Sequence, residues 1–464
     1  MNPATHMHAW QSQLESPLPF LGEWQAREPF DVLDIFKKTF GNTTAIFLES
    51  SDTSIPDESH RWLIWAGIPA YEFFGSRSQP QLKTPSFEGP APFSLLELFD
   101  LIGKASVVPP DDSFSFFSQA WFGVVSYEWG HNLHLPNFKV SHPQIPDFYF
   151  FKPSQVFVWD RFEKKGLAWG GFPHLNSTTH ALASDFSVNH FSRSMHIDHY
   201  LDAIHQAKKF ITEGDLYQIN FAHRFQAQWT GPPLELYRRL HTLNPGPFMA
   251  FFQTPQFVIV SSSPERLISG RGESLETRPI AGTRRRSKSP EEDERLKHEL
   301  QTDPKEQAEH IMLVDLARND LGRIAQWGSV QVHTLAAIET YAHVHHLVSK
   351  IQAQRHPTSS LSEIFKSLFP GGTITGCPKI HCMEIIHQLE PVPRGFYTGS
   401  LGYLAPGPCF DFNILIRTFC LFSDSHLEFH AGSGIVADSN PQREYEETLH
   451  KVETLAHSLG FSLL

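Results

Sequence analysis

Short apolar runs separated by polar breaks dominate the first part of the chain and predict strands. The runs are AIFLESS, RWLIWAGI, AWFGVVSYEWG, DFYFFKPSQVFVWD and GLAWGG. Residues 1–30 show little periodicity and are expected to form a tail. The stretch 76–114 is rich in proline and serine, which predicts a surface connection without regular structure.

The spacing of apolar residues becomes helical after about residue 195. In HIDHYLDAIHQAKKFITEGDLYQIN the apolar side chains recur at helical spacing until Gly214 and Asp215, which together form a helix stop. From there to the C-terminus, helices and strands alternate irregularly. Because the strands arrive in runs and not in regular alternation with helices, the pattern predicts an α+β layered sandwich and disfavours a doubly wound parallel sheet.

Composition narrows the class of ligand. The 464 residues are 40% apolar and 13% aromatic, enough to bury a sizeable core, and the net charge is −12. Nucleic-acid and anionic-membrane binding need a basic face, so we expect neither partner. The N-terminus lacks the basic-then-apolar order of a signal peptide, and the four cysteines form no CxxC pair. A soluble cytoplasmic protein with a small-molecule ligand is therefore expected.

Three segments carry carboxylates with possible chemical roles. SSSPERL places Glu265 after a strand, KEQAEHIMLVDLARNDLGR places Glu309 on a helix, and NPQREYEETLHKVETL places Glu444 and Glu447 on one face of another helix. A set of oxygen ligands without a histidine-cysteine cluster is typical of Mg²⁺. Acidic helix faces are also commonly solvated surfaces, so both interpretations stay open.

Glycine, histidine and arginine clusters add three weaker signals. HAGSGIVADS can present backbone N–H groups to a carboxylate or form an ordinary tight turn. HVHHLVS contains His343, His345 and His346, which suggests zinc at first sight. In a strand, however, His346 can point inward alone as a proton carrier while His345 faces away, which argues against zinc. The run Arg284 to Arg286 is either a solvated edge or part of an anion site.

Ten segments occur in an order that resembles the chorismate-utilising enzymes. They are GDLYQIN, SSSPERL, RPIAGTRRR, AEHIMLVDLARNDLGR, HVHHLVS, FPGGTITGCPK, GSLGYL, NILIRT, AGSGIVADS and EYEETLHK. The resemblance is close from about residue 190 onward and loose before it. It implies an N-terminal region over 20–180 and a chorismate-binding catalytic domain over 190–464. The implied fold is the chorismate-binding fold, in which two large β-sheets pack as a sandwich with helices outside.

The resemblance also implies roles for individual residues. Glu265 matches the general acid, with His346 as a second participant near the leaving group. Glu309 and Glu447 match the ligands of a Mg²⁺ that holds the ring carboxylate of chorismate, with Glu444 beside them. Contacts to the substrate carboxylates match Arg417, Tyr403, Gly282, Thr283, Gly432, Ser433, Gly434 and Lys451. This chemistry needs such residues, because chorismate is a dianion and its C4 hydroxyl leaves only after protonation.

Gln218 indicates which nucleophile enters. In isochorismate and salicylate synthases of the family, a lysine stands at this position and activates water, whereas glutamine cannot take a proton. Ammonia is therefore the expected nucleophile. The chain shows no glutaminase triad, so a glutamine amidotransferase subunit is the expected source of the ammonia.

Ala281 bears on the ring position that receives the amine. Para-aminobenzoate-type members carry PIKGT, whose lysine adds to C2 before ammonia enters at C4. Anthranilate-type members carry PIAGT, as this chain does, and ammonia itself adds to C2. Asn220, Arg266 and Gly372 look para-type, and we weigh them above Ala281.

The expected reaction is thus Mg²⁺-dependent formation of 4-amino-4-deoxychorismate for para-aminobenzoate and folate biosynthesis. An anthranilate synthase component is the alternative suggested by Ala281, and an isochorismate synthase or an inactive scaffold is less favoured. FLESS and NPGPFMAF resemble the tryptophan pocket of both branches, so tryptophan is a further candidate ligand.

Overall fold

The computed structural model describes residues 16–24, 32–49, 62–105, 114–137, 139–174, 186–341 and 344–462. Within these ranges every strand pairing is antiparallel. The strands are β1 Phe20–Trp24, β2 Ala45–Glu49, β3 Trp62–Ser76, β4 Gln79–Thr84, β5 Phe87–Pro90, β6 Trp121–Val125, β7 Phe148–Asp160, β8 Lys165–Trp169, β9 Ser187–Arg193, β10 Gln218–Thr230, β11 Phe248–Gln253, β12 Phe257–Ser263, β13 Arg266–Arg271, β14 Ser274–Arg278, β15 Ile280–Arg285, β16 Gln331–Thr340, β17 Val344–Gln354, β18 Gly376–Cys377, β19 Ser400–Ala405, β20 Cys409–Asn413, β21 Thr418–Phe422 and β22 His426–Ile435. The helices are α1 Val32–Phe40, α2 Leu95–Lys104, α3 Tyr127–His134, α4 Ile197–Glu213, α5 Pro233–Leu243, α6 Pro290–Thr302, α7 Pro304–Gly322, α8 Leu361–Leu368, α9 Lys379–Leu389 and α10 Pro441–Ser458.

Two sheets share the long strands β3 and β7. The first half of β3 pairs with β2 and its second half with β4, and a register shift separates Pro69 from Tyr71 next to Ile68, whose φ is 56°. The first sheet runs β9–β10–β22–β21–β12–β11–β2–β3–β7–β8–β1. The second runs β5–β4–β3–β7–β6–β19–β20–β13–β14–β17, with β15 and β16 also paired to β17. The bend in β3 thus divides one ladder into two layers.

The core lies between the sheets and beneath the helices on their outer faces. The inner cluster joins residues of both sheets, among them Ile46, Phe122, Phe151, Phe252 and Leu401, and no residue of the ten described helices. A second cluster packs α1, α5 and α10 on the first sheet, and a third packs α2, α7 and α8 on the other. Apolar side chains on both faces of each sheet explain this layering. The predicted α+β sandwich with external helices is confirmed.

Residues at the ends of helices and strands explain much of the local structure. The helical pattern after residue 195 forms α4, and Gly214 closes it in the left-handed conformation at φ 88°. The prediction of an irregular connection over 76–114 is wrong for much of that stretch, which forms β4, β5 and α2. Pro80 and Pro90 stand near strand ends, where a missing N–H is tolerated. Ser94 and Glu97 form the capping box of α2.

The expected N-terminal tail contains one strand. β1 pairs with β8, and Trp24 is 5% exposed in the core. This strand forms because its partner edge and buried indole stabilise a segment that has little pattern of its own. The rest of 1–30 lies outside the described residues except for 16–19.

Both predicted regions contribute strands to the same sheets. β2 pairs with β11 and β6 with β19, so strands of 20–180 lie beside strands of 190–464. The predicted boundary falls largely on residues outside the described ranges. No described helix has the length and apolar character that a membrane span requires.

Candidate active site

Several predicted site residues meet at one end of the first sheet. β12 ends where β21 begins, because Ser261 pairs with Thr418. β22 ends and β10 begins at the same side, because both pairings with their neighbours are antiparallel. The residues that follow from this register are Gln218, Glu265, Arg417, Gly432, Ser433 and Gly434. Antiparallel geometry therefore gathers an acid, a guanidinium and a glycine-rich edge from distant parts of the chain.

Glu265 is held in the turn between β12 and β13. Its carbonyl accepts the Ile414 N–H at 2.9 Å, and its own N–H faces the Ser263 hydroxyl at 3.3 Å. The side chain is 5% exposed, and this burial raises the pKa of Glu265 to about 7, although hydrogen bonding by Thr373 and the Ile280 backbone opposes the shift. Glu265 is consequently protonated in a large fraction of molecules near neutrality, as a general acid must be.

His346 connects the second sheet to this end of the first. Its Nδ1 lies 3.0 Å from the Thr283 hydroxyl and 3.2 Å from the Gly282 carbonyl, and its Nε2 lies 3.5 Å from Arg417 Nη2. A carbonyl only accepts hydrogen bonds, so the proton sits on Nδ1 and Nε2 is an acceptor. Burial, then the Arg417 charge, lower the pKa of His346 to about 3. The imidazole is therefore neutral at physiological pH.

His345 lies on the other side of β17, as strand alternation predicts. Its Nε2 is 2.9 Å from Asp293 of α6, and its Nδ1 is 3.0 Å from the Thr340 hydroxyl. His343 lies outside the described residues. His345 and His346 thus point to different partners.

Arg417 is a half-buried cation without a carboxylate partner in the described part of the chain. Partial burial lowers the pKa of Arg417, and its φ is 52°, a left-handed value that costs a side-chain-bearing residue energy. Arg417 shares a small pocket with Tyr341, His346 and the prolines Pro245, Pro247 and Pro264. A guanidinium that borders a pocket and has no carboxylate partner is suited to bind an anion.

Ala281 and Gly282 form a bulge in β15. Ala281 pairs with Leu347 and Thr283 with His346, which leaves Gly282 as the extra residue, at φ 62°. A Cβ at Gly282 would lie 2.7 Å from Leu300 Cδ1, so glycine is required here. The bulge turns the Thr283 hydroxyl toward His346.

The arginine run beside this bulge is mainly structural. Arg284 makes ion pairs with Glu299, Asp303 and Glu306 at 2.9 to 3.1 Å. Arg286 pairs with Asp293 at 3.0 Å. These contacts connect the end of β15 to α6 and α7, so the two arginines hold the strand in place.

The glycine-rich end of β22 has one free edge. Within the described chain β21 pairs with β22 only as far as Phe429, so the residues that follow present their second edge toward the site. Lys451 of α10 donates to the Gly432 carbonyl at 3.0 Å. A Cβ at Gly434 would lie 2.3 Å from Gln218 Nε2, so this glycine makes room for the Gln218 amide. The buried Gln218 Oε1 accepts no hydrogen bond from the described residues.

The three glutamates lie on two helices that flank this edge. Glu309 is on α7, and Glu444 and Glu447 are on α10. Burial raises the pKa of Glu309 to about 6, and the negative charges of Glu306, Glu444 and Glu447 add to the shift while Lys305 opposes it. Burial also acts on Glu447, but the Lys451 ammonium at 2.7 Å brings the pKa of Glu447 below its usual value. The carboxylates therefore repel one another across the gap between the helices.

This donor set fits a hard cation in part. Glu309 Oε1 is buried without a hydrogen bond, and its nearest cation, Lys305 Nζ, is 3.7 Å away. Among the described residues no three acidic, histidine or cysteine side chains are close enough to enclose an ion by themselves. Mg²⁺ commonly uses one or two protein carboxylates and completes its shell with water and substrate oxygens. An unpaired carboxylate oxygen near two further carboxylates is compatible with that mode.

Two residues singled out by sequence lie elsewhere. Tyr403 faces the inner cluster, where its ring packs with Phe116, Phe117 and Phe122, and in the described structure it makes no hydrogen bond to Arg417 or His346. The Arg266 guanidinium is held by Asp411 at 3.0 Å and by Glu276 at 2.9 Å. Tyr403 and Arg266 thus contact groups other than Arg417 and His346 in the described structure.

Sequence reasoning overlooked three residues at the site. Thr373, from the FPGGTITG segment, borders the same cavity as Glu265. Tyr341 packs edge-on against the His346 ring, with centroids 5.5 Å apart. Arg394 donates to the carbonyls of Ile374 and Asn220, at 2.9 and 2.8 Å, and so fixes the Thr373 turn to β10. The segment FPGGTITG was a recognisable signal for Thr373, whereas only the fold brings Tyr341 and Arg394 to the site.

Part of the FLESS segment, which resembles a tryptophan pocket, lies within the described residues. Glu49 of AIFLE is buried and accepts hydrogen bonds from Arg161 at 2.6 Å and Tyr237 at 2.5 Å. Ser50 and Ser51 of the same segment lie outside the described residues. The Glu49 carboxylate is therefore already paired by the protein itself.

Comparison with known proteins identifies the family of the chain. A model of the chorismate binding enzyme family matches residues 81–457, a longer span than the motifs alone covered. An anthranilate synthase component I-like protein of Synechocystis sp. is 37% identical over 92% of this chain and 89% of its own length. Aminodeoxychorismate synthase component 1 of Bacillus subtilis is 37% identical over 75% of this chain and 78% of its own. The crystal structure of anthranilate synthase component I from Streptococcus pneumoniae superposes with a TM-score of 0.76 at 27% identity, covering 93% of this chain and 98% of that one. The chain belongs to the family of chorismate binding enzymes.

Proposed function

We propose that the protein aminates chorismate to 4-amino-4-deoxychorismate with ammonia and Mg²⁺. The observation that carries this proposal is the placement of a buried Glu265 with a pKa of about 7 and a half-buried Arg417 without a described carboxylate partner at the same strand ends. An acid beside an anion-binding guanidinium suits a dianionic substrate whose hydroxyl must leave.

Each residue then has a chemical task. Arg417 binds the enolpyruvyl carboxylate, and the free edge at Gly432 to Gly434, with Lys451, faces the other. Glu265 donates its proton to the C4 hydroxyl, which leaves as water. Ammonia forms the new C–N bond, and the extra proton on nitrogen is released to solvent. His346, neutral and with Nε2 as an acceptor, orients groups near the leaving oxygen.

Glu309 and Glu447, with Glu444 beside them, are the residues that would hold Mg²⁺. When bound, the ion neutralises the ring carboxylate and the glutamates together. The coupled negative charges around Glu309 are the support for this assignment.

Glu309→Gln and Glu447→Gln are each expected to abolish turnover while leaving the fold intact. Amide replacement removes an anionic ligand, and at Glu309 it also relieves repulsion, so the thermal stability of Glu309→Gln should not fall. Glu447→Gln loses the half-exposed ion pair with Lys451, which should cost about 1 kcal/mol or less. Turnover is measured against Mg²⁺ concentration, with melting monitored in parallel. Glu446→Gln is the control, because Glu446 lies on the same helix and pairs only with exposed Gln442. Full activity of either site variant in saturating Mg²⁺ would contradict the assignment.

Ammonia is the proposed nucleophile because Gln218 cannot act as a base. Its unpaired Oε1 is an acceptor for an N–H of ammonia at the edge near Gly434. Free ammonia is scarce at neutral pH, so a separate glutamine amidotransferase subunit is proposed as its source. Tryptophan remains a candidate further ligand, although Glu49 is already paired.

The proposal that the amine enters at C4 rests on Asn220 and Gly372. Gly372 adjoins Thr373 in the turn that borders the Glu265 cavity, and Asn220 lies opposite Gly434 in the ladder. Arg266 supports the assignment less than its sequence suggested, since its guanidinium is bound to Asp411. Ala281 favours the second candidate, an anthranilate synthase component, because it supplies no amine for covalent addition.

Product analysis tests the proposal. Purified protein with chorismate, Mg²⁺ and an ammonium salt at alkaline pH is expected to form 4-amino-4-deoxychorismate, identified by chromatography. With glutamine in place of ammonium, product should form only after a glutaminase subunit is added. Without any nitrogen source, no isochorismate or salicylate should form. Anthranilate as the product would establish the second candidate, and rapid isochorismate formation would refute amination altogether.

A further inference from the structure

A small cavity lies behind Glu265, between α7 and the turn 370–376. Its volume is about 30 Å³, enough room for a water molecule. Five polar residues line its wall: Glu265, Arg266, Thr277, Thr373 and Asp320. The other lining side chains are largely aliphatic: Leu267, Leu313, Leu316, Ala317, Leu368 and Ile414. A water in such a cavity would have polar partners on its wall, two of them carboxyl-bearing residues, between which it would pass protons.

Asp320 is tied to a buried lysine at the far side of this cavity. Its Oδ2 lies 2.6 Å from Lys379 Nζ, and Lys379 also donates to the Ser367 and Leu368 carbonyls. Burial raises the pKa of Asp320, while Lys379, Arg323 and His134 oppose the shift. The Asp320 side chain is 8% exposed, so it retains contact with solvent.

We propose that Asp320 resupplies protons to Glu265 through this cavity between turnovers. The inference rests on the proposed role of Glu265 as the acid that protonates the leaving hydroxyl. That acid is buried, and the cavity it shares with Asp320 is a route for proton exchange on the side of α7. A relay through Asp320 gives the consumed proton a path back that does not cross the pocket of Arg417.

The proton balance of the relay is simple. Glu265 becomes a carboxylate when the C4 oxygen leaves as water. The cavity water donates a proton to that carboxylate and takes one from the hydrogen-bonded Asp320–Lys379 pair, which is left with one proton fewer until solvent restores it. One solvent proton thus restores Glu265, while the proton on the product nitrogen returns to solvent.

Rapid-quench kinetics separate this role from a structural one. About one pH unit below the pKa of Glu265, which is about 7, most molecules begin with this carboxyl protonated, so the first turnover needs no relay. In Asp320→Asn the first turnover is expected within about twofold of wild type, while later turnovers slow by about tenfold or more and show a larger solvent deuterium isotope effect. KM for chorismate should not change, because Asp320 does not contact the substrate pocket around Arg417.

Two further variants keep the test decisive. Asp320→Asn alone leaves the Lys379 ammonium buried without its partner, so the double variant Asp320→Asn/Lys379→Gln removes both charges. Ala317→Leu fills the cavity and leaves the Asp320–Lys379 pair in place, and it should reproduce the slow later turnovers. Asp315→Asn is the matched control, since Asp315 is exposed on α7 and pairs with Arg318.

The outcomes distinguish the two levels of the hypothesis. Equal first and later turnovers in the folded double variant and in Ala317→Leu would contradict the relay alone. Slowing of the first turnover to the same extent as later ones would also contradict it, because the defect would then lie in the chemical step. No aminated product from the wild type would overturn the proposed function and the relay with it.

Discussion

Glu265→Gln is expected to lower kcat by roughly 10²- to 10⁴-fold, because general acid catalysis contributes about that much to a rate. Glutamine preserves the shape of the side chain but has no acidic proton for the C4 hydroxyl. Wild-type kcat/KM for chorismate, corrected for the concentration of free ammonia, should fall as the pH rises through about 7, the pKa of Glu265 in the free protein. The residual activity of the variant should lack that limb.

The same substitution has an expected effect on stability. The folded-state pKa of Glu265 lies above its usual value of 4.5, so the folded protein binds more protons between these values than the unfolded chain. This contribution to stability is complete below about pH 4.5 and is lost as the pH rises through about 7. Glu265→Gln should therefore be at least as stable as wild type at pH 8, as measured by thermal unfolding.

Glu128→Gln is the matched control for Glu265→Gln. Burial raises the pKa of Glu128 to about 8, although backbone N–H groups of Gly395 and Arg394 oppose the shift. Glu128 is thus a second buried, largely neutral carboxyl, on α3 and away from the cavity of Glu265. Near-normal kcat in the Glu128 variant would separate acid catalysis from a general effect of burial. Retention of more than roughly a tenth of wild-type kcat in Glu265→Gln would remove Glu265 from the role of acid.

Features with a local physical cause could be predicted from the sequence. Gly214 ends α4 because glycine adopts the left-handed conformation without steric cost. His345 and His346 point to different partners because side chains alternate along a strand. Glu265 follows a strand and a proline, which predicts a turn. The pKa of Glu265 is raised because three other segments bury its carboxyl, and the sequence pattern does not show that burial. It was expected only because a general acid needs a raised pKa.

Features set by tertiary contacts could not be predicted in the same way. Tyr403 stands in a recognisable motif, yet the pairing of β19 with β6 and β20 turns its ring into the inner cluster. Arg266 was expected to lie near the reacting ring of the substrate, but in the fold its guanidinium donates to Asp411 and Glu276. In both cases the register of partner strands decides which way the side chain points. A sequence motif therefore indicates which segment is relevant, whereas strand pairing in the sheet determines which groups each side chain contacts.

Arg417→Met is the second substitution with a large expected effect, and it should separate binding from stability. Removing one partner of a buried charge pair costs about 2–5 kcal/mol, so kcat/KM for chorismate should fall roughly 30-fold or more, mainly through KM. The free protein should be as stable as wild type or more so, because the described chain gives Arg417 no carboxylate partner and its desolvation is uncompensated. Steady-state kinetics and thermal unfolding measure the two effects.

The pKa of His346 is also expected to change in Arg417→Met. Burial, and after it the Arg417 charge, holds the pKa of His346 at about 3, so loss of the guanidinium should raise that pKa. A neutral buried histidine costs stability as the pH falls from about 6.5 toward 3, since the unfolded chain binds the proton first. Arg417→Met should therefore lose less stability on acidification, and NMR titration of His346 should show the shift directly.

Arg394→Met supplies the contrast that makes the Arg417 result interpretable. Arg394 is buried and pairs with Glu390 at 2.6 Å, with side chains 1% and 5% exposed. Its removal leaves Glu390 buried without a charge partner, which should destabilise the fold by about 3–5 kcal/mol. If Arg417→Met destabilises the protein to a similar degree while KM for chorismate is unchanged, Arg417 is a structural residue and the anion site lies elsewhere. If KM rises while stability holds, the protein keeps a strained, unpaired guanidinium at φ 52° for its ligand.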